Sequence, residues 1–243
     1  MFRLARYSGL AVAFLLVAFG ILALWNGGAR SAFGQVIENL KKATSVSFTS
    51  KQKLGSQPVI EMKYYLQGNF MRIEMPGKQE AFDAKLPLVQ TFILNGETKE
   101  VVQVDYANKT GRRFQMDDKS AKQFINPIEE LRTLTDKDAE LIGDEDLDGR
   151  KSKVYRFKEL HGLFGIVAKV DGKLWVDRQS GLPTKIVIET DPADHKTNLS
   201  LTFADFKWNE ALKGDLFKLA IPEGFKVTEG NSGGNLDKTE PNK

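Results

Sequence analysis

The sequence predicts an α+β, mostly β fold, built on an antiparallel sheet of about ten or eleven strands with one N-terminal helix and short mid-chain helices. Two observations indicate this fold. Apolar residues alternate with polar ones over many short runs, as they do in strands that bury one face. Turn signals such as Asn95-Gly96 separate these runs. A sheet with so many strands must curl, close or split in two.

Composition narrows the class of protein. The chain has 243 residues, of which 41% are hydrophobic and 28% charged, so a packed globular core is expected. The net charge of +3 gives no argument for a nucleic-acid partner. There is no cysteine, which excludes disulfides, thiolate chemistry, cysteine-ligated zinc and a lipidated N-terminal cysteine.

The N-terminus is typical of an exported protein. Arg3 and Arg6 precede the uncharged stretch Tyr7–Ala29, which is about long enough to cross a bilayer. The basic residues should keep that end in the cytoplasm, so the remainder is exported. Small residues near the end of the stretch leave a cleaved signal peptide open. Trp25 followed by Asn26 favours an uncleaved signal anchor, with residues 1–30 as a transmembrane helix.

The first structured elements are predicted to be a helix and a series of strands. Ser31 can N-cap a helix through Ala43, whose apolar stripe recurs at helical spacing. The periodicity then changes to two. Strands are predicted over residues 45–54, 59–67, 70–75, 81–83, 90–94 and 99–106.

A helical interlude interrupts the strands. Asp117 or Asp118 can cap a short helix that ends at Phe124. Asn126 can cap a second helix, with Pro127 at the first helical position and Glu129 at the third. These helices are too short to form a domain of their own.

The second half returns to strands. They are predicted over residues 139–143, 153–159, 166–170, 173–177, 184–189 and 197–208. Asp171-Gly172 is interpreted as a two-residue hairpin, and Gly181 with Pro183 as a second turn. A helical turn follows over residues 211–217. One domain therefore covers residues 31–228, and residues 229–243 form a polar, disordered tail.

Several segments, in this order and spacing, resemble the LolA/LolB/RseB superfamily, in particular exported LolA-like proteins of bacteria. They are QVIENL (35–40), GNFMRIEMP (68–76), LDGRKSKVYRF (147–157), LWVDRQSGLP (174–183), FADFKWN (203–209) and LFKLAIPEGF (216–225). The resemblance covers about residues 32–227. It implies a strongly curved half-barrel with lid helices over its concave face and an apolar cavity between them. The best-known members carry lipoprotein acyl chains across the periplasm, whereas RseB-like members are envelope-stress sensors for an anti-sigma factor.

On such a half-barrel the alternating apolar side chains would line the concave face and contact a ligand. The alternative is a fully packed core, for which the same alternation is expected. The candidate lining residues are Ile60, Met62, Tyr64, Leu66, Met71, Ile73, Phe92, Leu94, Val102, Val104, Ile186, Ile188, Leu199, Leu201 and Phe203.

Arg72 is the candidate contact between sheet and lid. The resemblance implies this role, because in the carrier LolA an early-strand arginine bonds the lid helices. The alternative is a solvated arginine that pairs with Glu74 or a neighbouring strand.

No residues are predicted to be catalytic, and no metal or cofactor is expected. The acidic run from Asp144 to Asp148 resembles the start of a calcium loop, but Tyr155 stands where a bidentate glutamate is required. His161 and His195 are the only histidines, and neither lies near a nucleophile in the sequence.

The resulting hypothesis is a non-enzymatic periplasmic protein, tethered to the cytoplasmic membrane, that binds lipid or lipoprotein acyl chains. The alternative is an RseB-like regulator whose partner is an envelope or inner-membrane protein such as an anti-sigma factor.

Overall fold

A computed structural model describes residues 32–76, 88–117, 127–135, 137–161, 167–190 and 198–230. They form one twelve-stranded curved sheet, an open half-barrel, with two α-helices and one 3₁₀ helix. This confirms the predicted mostly β fold.

The strands follow the sequence prediction closely over most of the described chain. Helix α1 spans Ala32–Lys42 and α2 spans Pro127–Thr133, and the 3₁₀ helix spans Gly214–Phe217. The first six strands are β1 Ser45–Leu54, β2 Ile60–Gln67, β3 Phe70–Pro76, β4 Leu88–Asn95, β5 Glu100–Asp105 and β6 Thr110–Gln115. The others are β7 Ala139–Leu147, β8 Arg150–His161, β9 Val167–Asp177, β10 Pro183–Thr190, β11 Leu199–Trp208 and β12 Lys226–Gly230.

The sheet order is β12-β6-β5-β4-β3-β2-β1-β11-β10-β9-β8-β7. Every neighbouring pair is antiparallel except β12 and β6, which are parallel. Strands β6 and β12 were not predicted from the sequence. The predictions for residues 81–83, for the helix ending at Phe124 and for most of the tail fall outside the described residues, although β12 continues to Gly230.

The predicted hairpin at Asp171-Gly172 is wrong, because both residues lie inside the continuous strand β9. The glycine is required by packing instead. Gly172 pairs with Phe157, and a Cβ on Gly172 would lie 1.9 Å from the Phe157 ring. Asp171 receives two hydrogen bonds of 2.8 Å from the Arg156 guanidinium. Strands β7 and β8 are joined by a turn at Asp148 and Gly149, and both residues have positive φ.

The inner face of the sheet is the one that shares a core with the helices. Residues paired directly across strands point to the same side, so Phe48 with Tyr64 and Met71 with Leu94 lie on this face. Helices α1 and α2 cover it. Their buried apolar residues in this core are Phe33, Val36, Ile37, Leu40, Ile128, Leu131 and Leu134.

A C-terminal strap, residues 209–225, crosses the outer face. Arg113 donates a 2.8 Å hydrogen bond to the carbonyl of Leu219. Ile221 fills the space above Gly111, where a Cβ would lie 2.3 Å from the isoleucine side chain. The strap then leads into β12, which pairs with β6 at the sheet edge. The outer face therefore has a small core of its own.

The half-barrel has two ends. At the cleft end, β1 begins at Ser45 opposite Gln67, and the turns at Gly68, Gly96 and Ser180 lie close by. At the far end lie the turns over residues 55–59 and 106–109. The ten residues of β1 separate the two ends by about 30 Å.

Candidate ligand-binding clefts

Two clefts open at the cleft end, on either side of α2. The first, of about 220 Å³, is lined by Val46, Leu66, Ile128 and Trp208 among others. The second, of about 360 Å³, is lined by Met71, Leu94 and Met116, with Lys99 and Glu97 nearby. Gly68 and Glu129 line both, so the two clefts are neighbours.

Helix α2 is fixed by apolar packing and by one arginine. Its Ile128 and Leu131 are each 2% exposed and belong to the main core. Arg132 donates hydrogen bonds of 3.0 and 3.1 Å to the carbonyls of Leu40 and Ala43, at the C-terminus of α1. It also pairs with Glu129 on α2. The Leu40 carbonyl also accepts a 3.2 Å hydrogen bond from the Ala43 N–H. Arg132 therefore adds a charged donor at the negative end of α1 and connects this end to α2.

The structure places most predicted lining residues on the inner face. Leu66, Met71 and Leu94 line the clefts. The remainder of this group contributes to the main core or packs against it, away from the two clefts: Ile60, Met62, Tyr64, Ile73, Phe92, Ile186, Ile188, Leu199, Leu201 and Phe203. Within the described residues, side chains of α1 and α2 therefore fill much of the space over the sheet, as the packed-core alternative expected.

Val102 and Val104 lie on the outer face, and the predicted inner placement is corrected. Val102 pairs with Ile93 and Val104 with Thr91, whereas Val101 pairs with the inner residue Leu94. Both valines are at most 1% exposed. Val104 also pairs with Gly111, which lies beneath Ile221 of the C-terminal strap. Because both faces of β5 are buried, its residues are apolar on both sides, and the sequence pattern does not show which of them face inward.

Arg72 also lies on the outer face, and its predicted contact with the lid is not formed among the described residues. Its guanidinium pairs with Glu74 at 2.8 Å and donates a 3.1 Å hydrogen bond to the carbonyl of Leu216 in the strap. The pairing with Glu74 is the alternative that the sequence left open. The lid arginine is Arg132, which sequence reasoning missed because only the fold brings it to the end of α1.

An aromatic row connects the core to the first cleft. Tyr64, Phe48, Phe206 and Trp208 stack in sequence, with ring centroids 4.9, 5.1 and 5.5 Å apart. The Trp208 indole N–H donates a 2.7 Å hydrogen bond to the carbonyl of Pro183. Burial raises the pKa of Tyr64 to about 12, although the nearby Ser50 hydroxyl partly opposes this. This aromatic row leads from the sheet centre towards the cleft end.

The acidic run on β7 contacts β9 and the turn that follows β9, across the intervening strand β8. Asp144 pairs with Arg178, and Glu145 accepts a 2.7 Å hydrogen bond from the Trp175 indole. The described residues contain no group of three or more His, Cys, Asp or Glu side chains positioned to hold a metal ion. None of the described helices is long and apolar enough to span a bilayer, and residues 1–31 lie outside the described part.

Comparison with solved structures identifies the fold. The Mycobacterium tuberculosis lipoprotein LppX aligns with a TM-score of 0.51 and 14% identity, over 75% of this chain and 96% of LppX. An uncharacterized conserved protein from Thermus thermophilus gives 0.47 and 14%, over 81% and 98% of the two chains. A chain of the Pseudomonas aeruginosa MucA/MucB complex gives 0.41 and 14%, over 77% and 59%. No family model matches this chain, and no curated protein matches it.

Proposed function

We propose that this chain, which has the LolA/LolB/RseB-like fold, is an envelope protein that binds lipid or lipoprotein acyl chains in the two clefts beside α2. One observation carries the proposal: apolar side chains of the inner face line both clefts, and Glu129 of α2 borders both. A small helix over a curved apolar sheet is a suitable container for a flexible hydrocarbon chain.

The energetics allow such a ligand. Each buried methylene contributes about 0.8 kcal/mol, so about twelve methylenes contribute about 10 kcal/mol. Association costs at least about 4 kcal/mol, and ordering of side chains adds to this cost. Several kilocalories remain in favour of binding. An acyl chain can therefore be held without any charged or catalytic group.

The floor of the second cleft suits an occupant of variable shape. Met71 on β3 and Met116, which follows β6, lie on the inner face and are each 5% exposed. Strands β4 and β5 separate them in the sheet, and Leu94 lies on β4. Thioether side chains are unbranched and adapt to different neighbours. We expect these two methionines to change rotamer when an acyl chain enters, while the sheet stays in place.

The N-terminal segment supplies the location of the protein in this proposal. Arg3 and Arg6 followed by Tyr7–Ala29 would tether the domain to the cytoplasmic membrane, with the half-barrel in the periplasm. A tethered domain stays at one membrane and does not diffuse between two. The proposal therefore favours local binding over long-distance transport.

The test fills the second cleft and compares the effect with a matched substitution. Met71→Trp places a large ring among the cleft residues. Met75→Trp makes the same change on the same strand and the same face, about 13 Å away and outside both clefts. Binding of a fluorescent palmitate analogue is measured by titration, and thermal unfolding is followed for both variants.

We expect Met71→Trp to weaken palmitate binding about tenfold or more, because the floor is occupied, while Met75→Trp binds as the unmodified chain does. Equal binding by all three proteins would contradict the proposal. Native mass spectrometry after gentle extraction adds an independent result: a co-purified lipid supports it. A bound protein without lipid would instead favour the regulator that the sequence left as the alternative.

A further inference from the structure

We propose that the far end of the half-barrel rests on the surface of the membrane that anchors the chain, so that the clefts open away from that membrane. This inference deepens the proposed function and rests on its N-terminal tether. The occupant of the far-end surface is the bilayer itself.

The direction of α1 supports this orientation. Phe33, at the start of the helix, packs against Tyr155 with ring centroids 5.1 Å apart. Strand register places Tyr155 level with Ser50, midway along β1. At the other end of the helix, Asn39 donates hydrogen bonds to the carbonyls of Ser180 and Gly181, at the cleft end. The N-terminus of α1 therefore points towards the far end.

The segment between the predicted anchor and α1 is long enough for this orientation. Ala32 follows seven positions after Trp25, the predicted interfacial residue. A chain of that length spans at most about 25 Å. Ile186 on β10 lies level with Tyr155, because both residues pair with Leu174. From Ile186 to Thr190, at the far end of β10, is four residues, which is about 13 Å. The segment between Trp25 and Ala32 is therefore long enough to reach the far end.

Exposed apolar side chains at the far end also support this orientation. Five large apolar side chains are exposed in the described part of the chain, and none of them lies at the cleft end. Leu54 and Val59, 49% and 39% exposed, flank the turn between β1 and β2 at the far end. Val227, 57% exposed, lies beside the far-end turn of residues 106–109, because Lys226 bonds to Lys109.

The charges around these residues also fit a bilayer surface. Lys53, Lys109 and Lys226 are exposed at this end. The exposed Glu189 lies level with Lys53, because both residues pair with Ser200. The nearby carboxylate of Asp105 accepts hydrogen bonds from the backbone and side chain of Asn108. Exposed apolar side chains with flanking lysines are typical of surfaces that lie on anionic lipid.

This orientation has a consequence for ligand exchange. Because the clefts lie about 30 Å from the far end, they face the aqueous compartment and not the anchoring bilayer. Acyl chains would then enter from a soluble partner or from an opposing membrane. A domain lying with its clefts on the bilayer would take them directly from its own membrane.

The test uses the full chain in vesicles of phosphatidylethanolamine and phosphatidylglycerol. The chain contains no cysteine, so single variants can be labelled cleanly. Ser56→Cys reports on the far-end turn and Asn69→Cys on the cleft-end turn, and both natural residues are exposed. Each carries an environment-sensitive fluorophore, and nitroxide-labelled lipid is the quencher. Vesicle flotation is measured in parallel.

We expect nitroxide lipid to quench the label at Ser56 and to leave the label at Asn69 unaffected. Replacing Leu54 and Val59 by serine in the Ser56→Cys chain should reduce that quenching while the protein still floats with the vesicles. Quenching at Asn69 only, or at neither position, would overturn the orientation. A chain that does not float would overturn both tether and orientation, while the Met71→Trp comparison still decides ligand binding.

Discussion

Removing the Arg132 side chain should loosen α2 and destabilise the domain. In Arg132→Met the apolar part of the side chain is kept, but the hydrogen bonds to the carbonyls of Leu40 and Ala43 are lost. The ion pair with Glu129 is lost as well. The Leu40 carbonyl then keeps only its 3.2 Å hydrogen bond from the Ala43 N–H, and the Ala43 carbonyl loses its Arg132 donor.

The expected magnitude follows from the geometry. Hydrogen bonds from a charged donor contribute about 1.5–3 kcal/mol each where they are buried. The Arg132 side chain is 25% exposed, so water replaces part of the loss. We expect a total of about 2 kcal/mol, which is a fall in Tm of about 4–8 °C for a domain of this size. Urea and thermal unfolding followed by circular dichroism measure both quantities.

The matched control is Arg178→Met. Arg178 also pairs with a carboxylate, that of Asp144, but it is 46% exposed and holds no helix. Its replacement should change the free energy of unfolding by about 0.5 kcal/mol or less. If Arg132→Met costs no more than Arg178→Met, then Arg132 does not hold α2 to α1. Palmitate association should also become faster in Arg132→Met, because α2 borders both clefts.

Two other predictions concern the sheet. Gly172→Ala should cost at least about 2 kcal/mol in urea unfolding, since the new Cβ collides with the Phe157 ring. Burial raises the pKa of Tyr64 to about 12, above its usual value of about 10. The contribution of Tyr64 to the free energy of unfolding is therefore fully present below pH ~10 and is lost as the pH rises towards ~12. Unfolding measured across this range should depend less on pH in Tyr64→Phe, and an identical dependence would contradict the assignment.

Much of the sheet could be predicted because one face of most strands is buried. In β2, Met62, Tyr64 and Leu66 alternate with polar residues, and the predicted strand matches the structure within one residue. Helix α2 was predicted from its start signals, Asn126 and Pro127, and it begins where expected.

The errors occur where a residue has a packing role that local sequence rules do not contain. Asp171-Gly172 has the composition of a turn, but the glycine makes room for Phe157 from the neighbouring strand. Strand β6, TGRRFQ, has few apolar residues, and its edge is covered by β12 from a distant part of the chain. Neither contact can be read from residues near it in sequence.

The site was predicted only in its broad position. Alternation identified Leu66, Met71 and Leu94, which do line the clefts. It also included Val102 and Val104, because burial beneath the C-terminal strap gives outer-face residues the same apolar character. Arg132 and Trp208 could not be assigned to the clefts, since their positions depend on how α2 and β11 meet the sheet.

Photo-crosslinking with a diazirine-bearing palmitate tests most directly whether an acyl chain occupies the clefts. The full chain is irradiated with the probe, and the modified residues are mapped by mass spectrometry with and without excess unlabelled palmitate. We expect adducts that unlabelled palmitate reduces at Leu66, Met71, Leu94 and Met116, which line the clefts. Adducts confined to the outer face, or adducts that unlabelled palmitate does not reduce, would contradict this expectation.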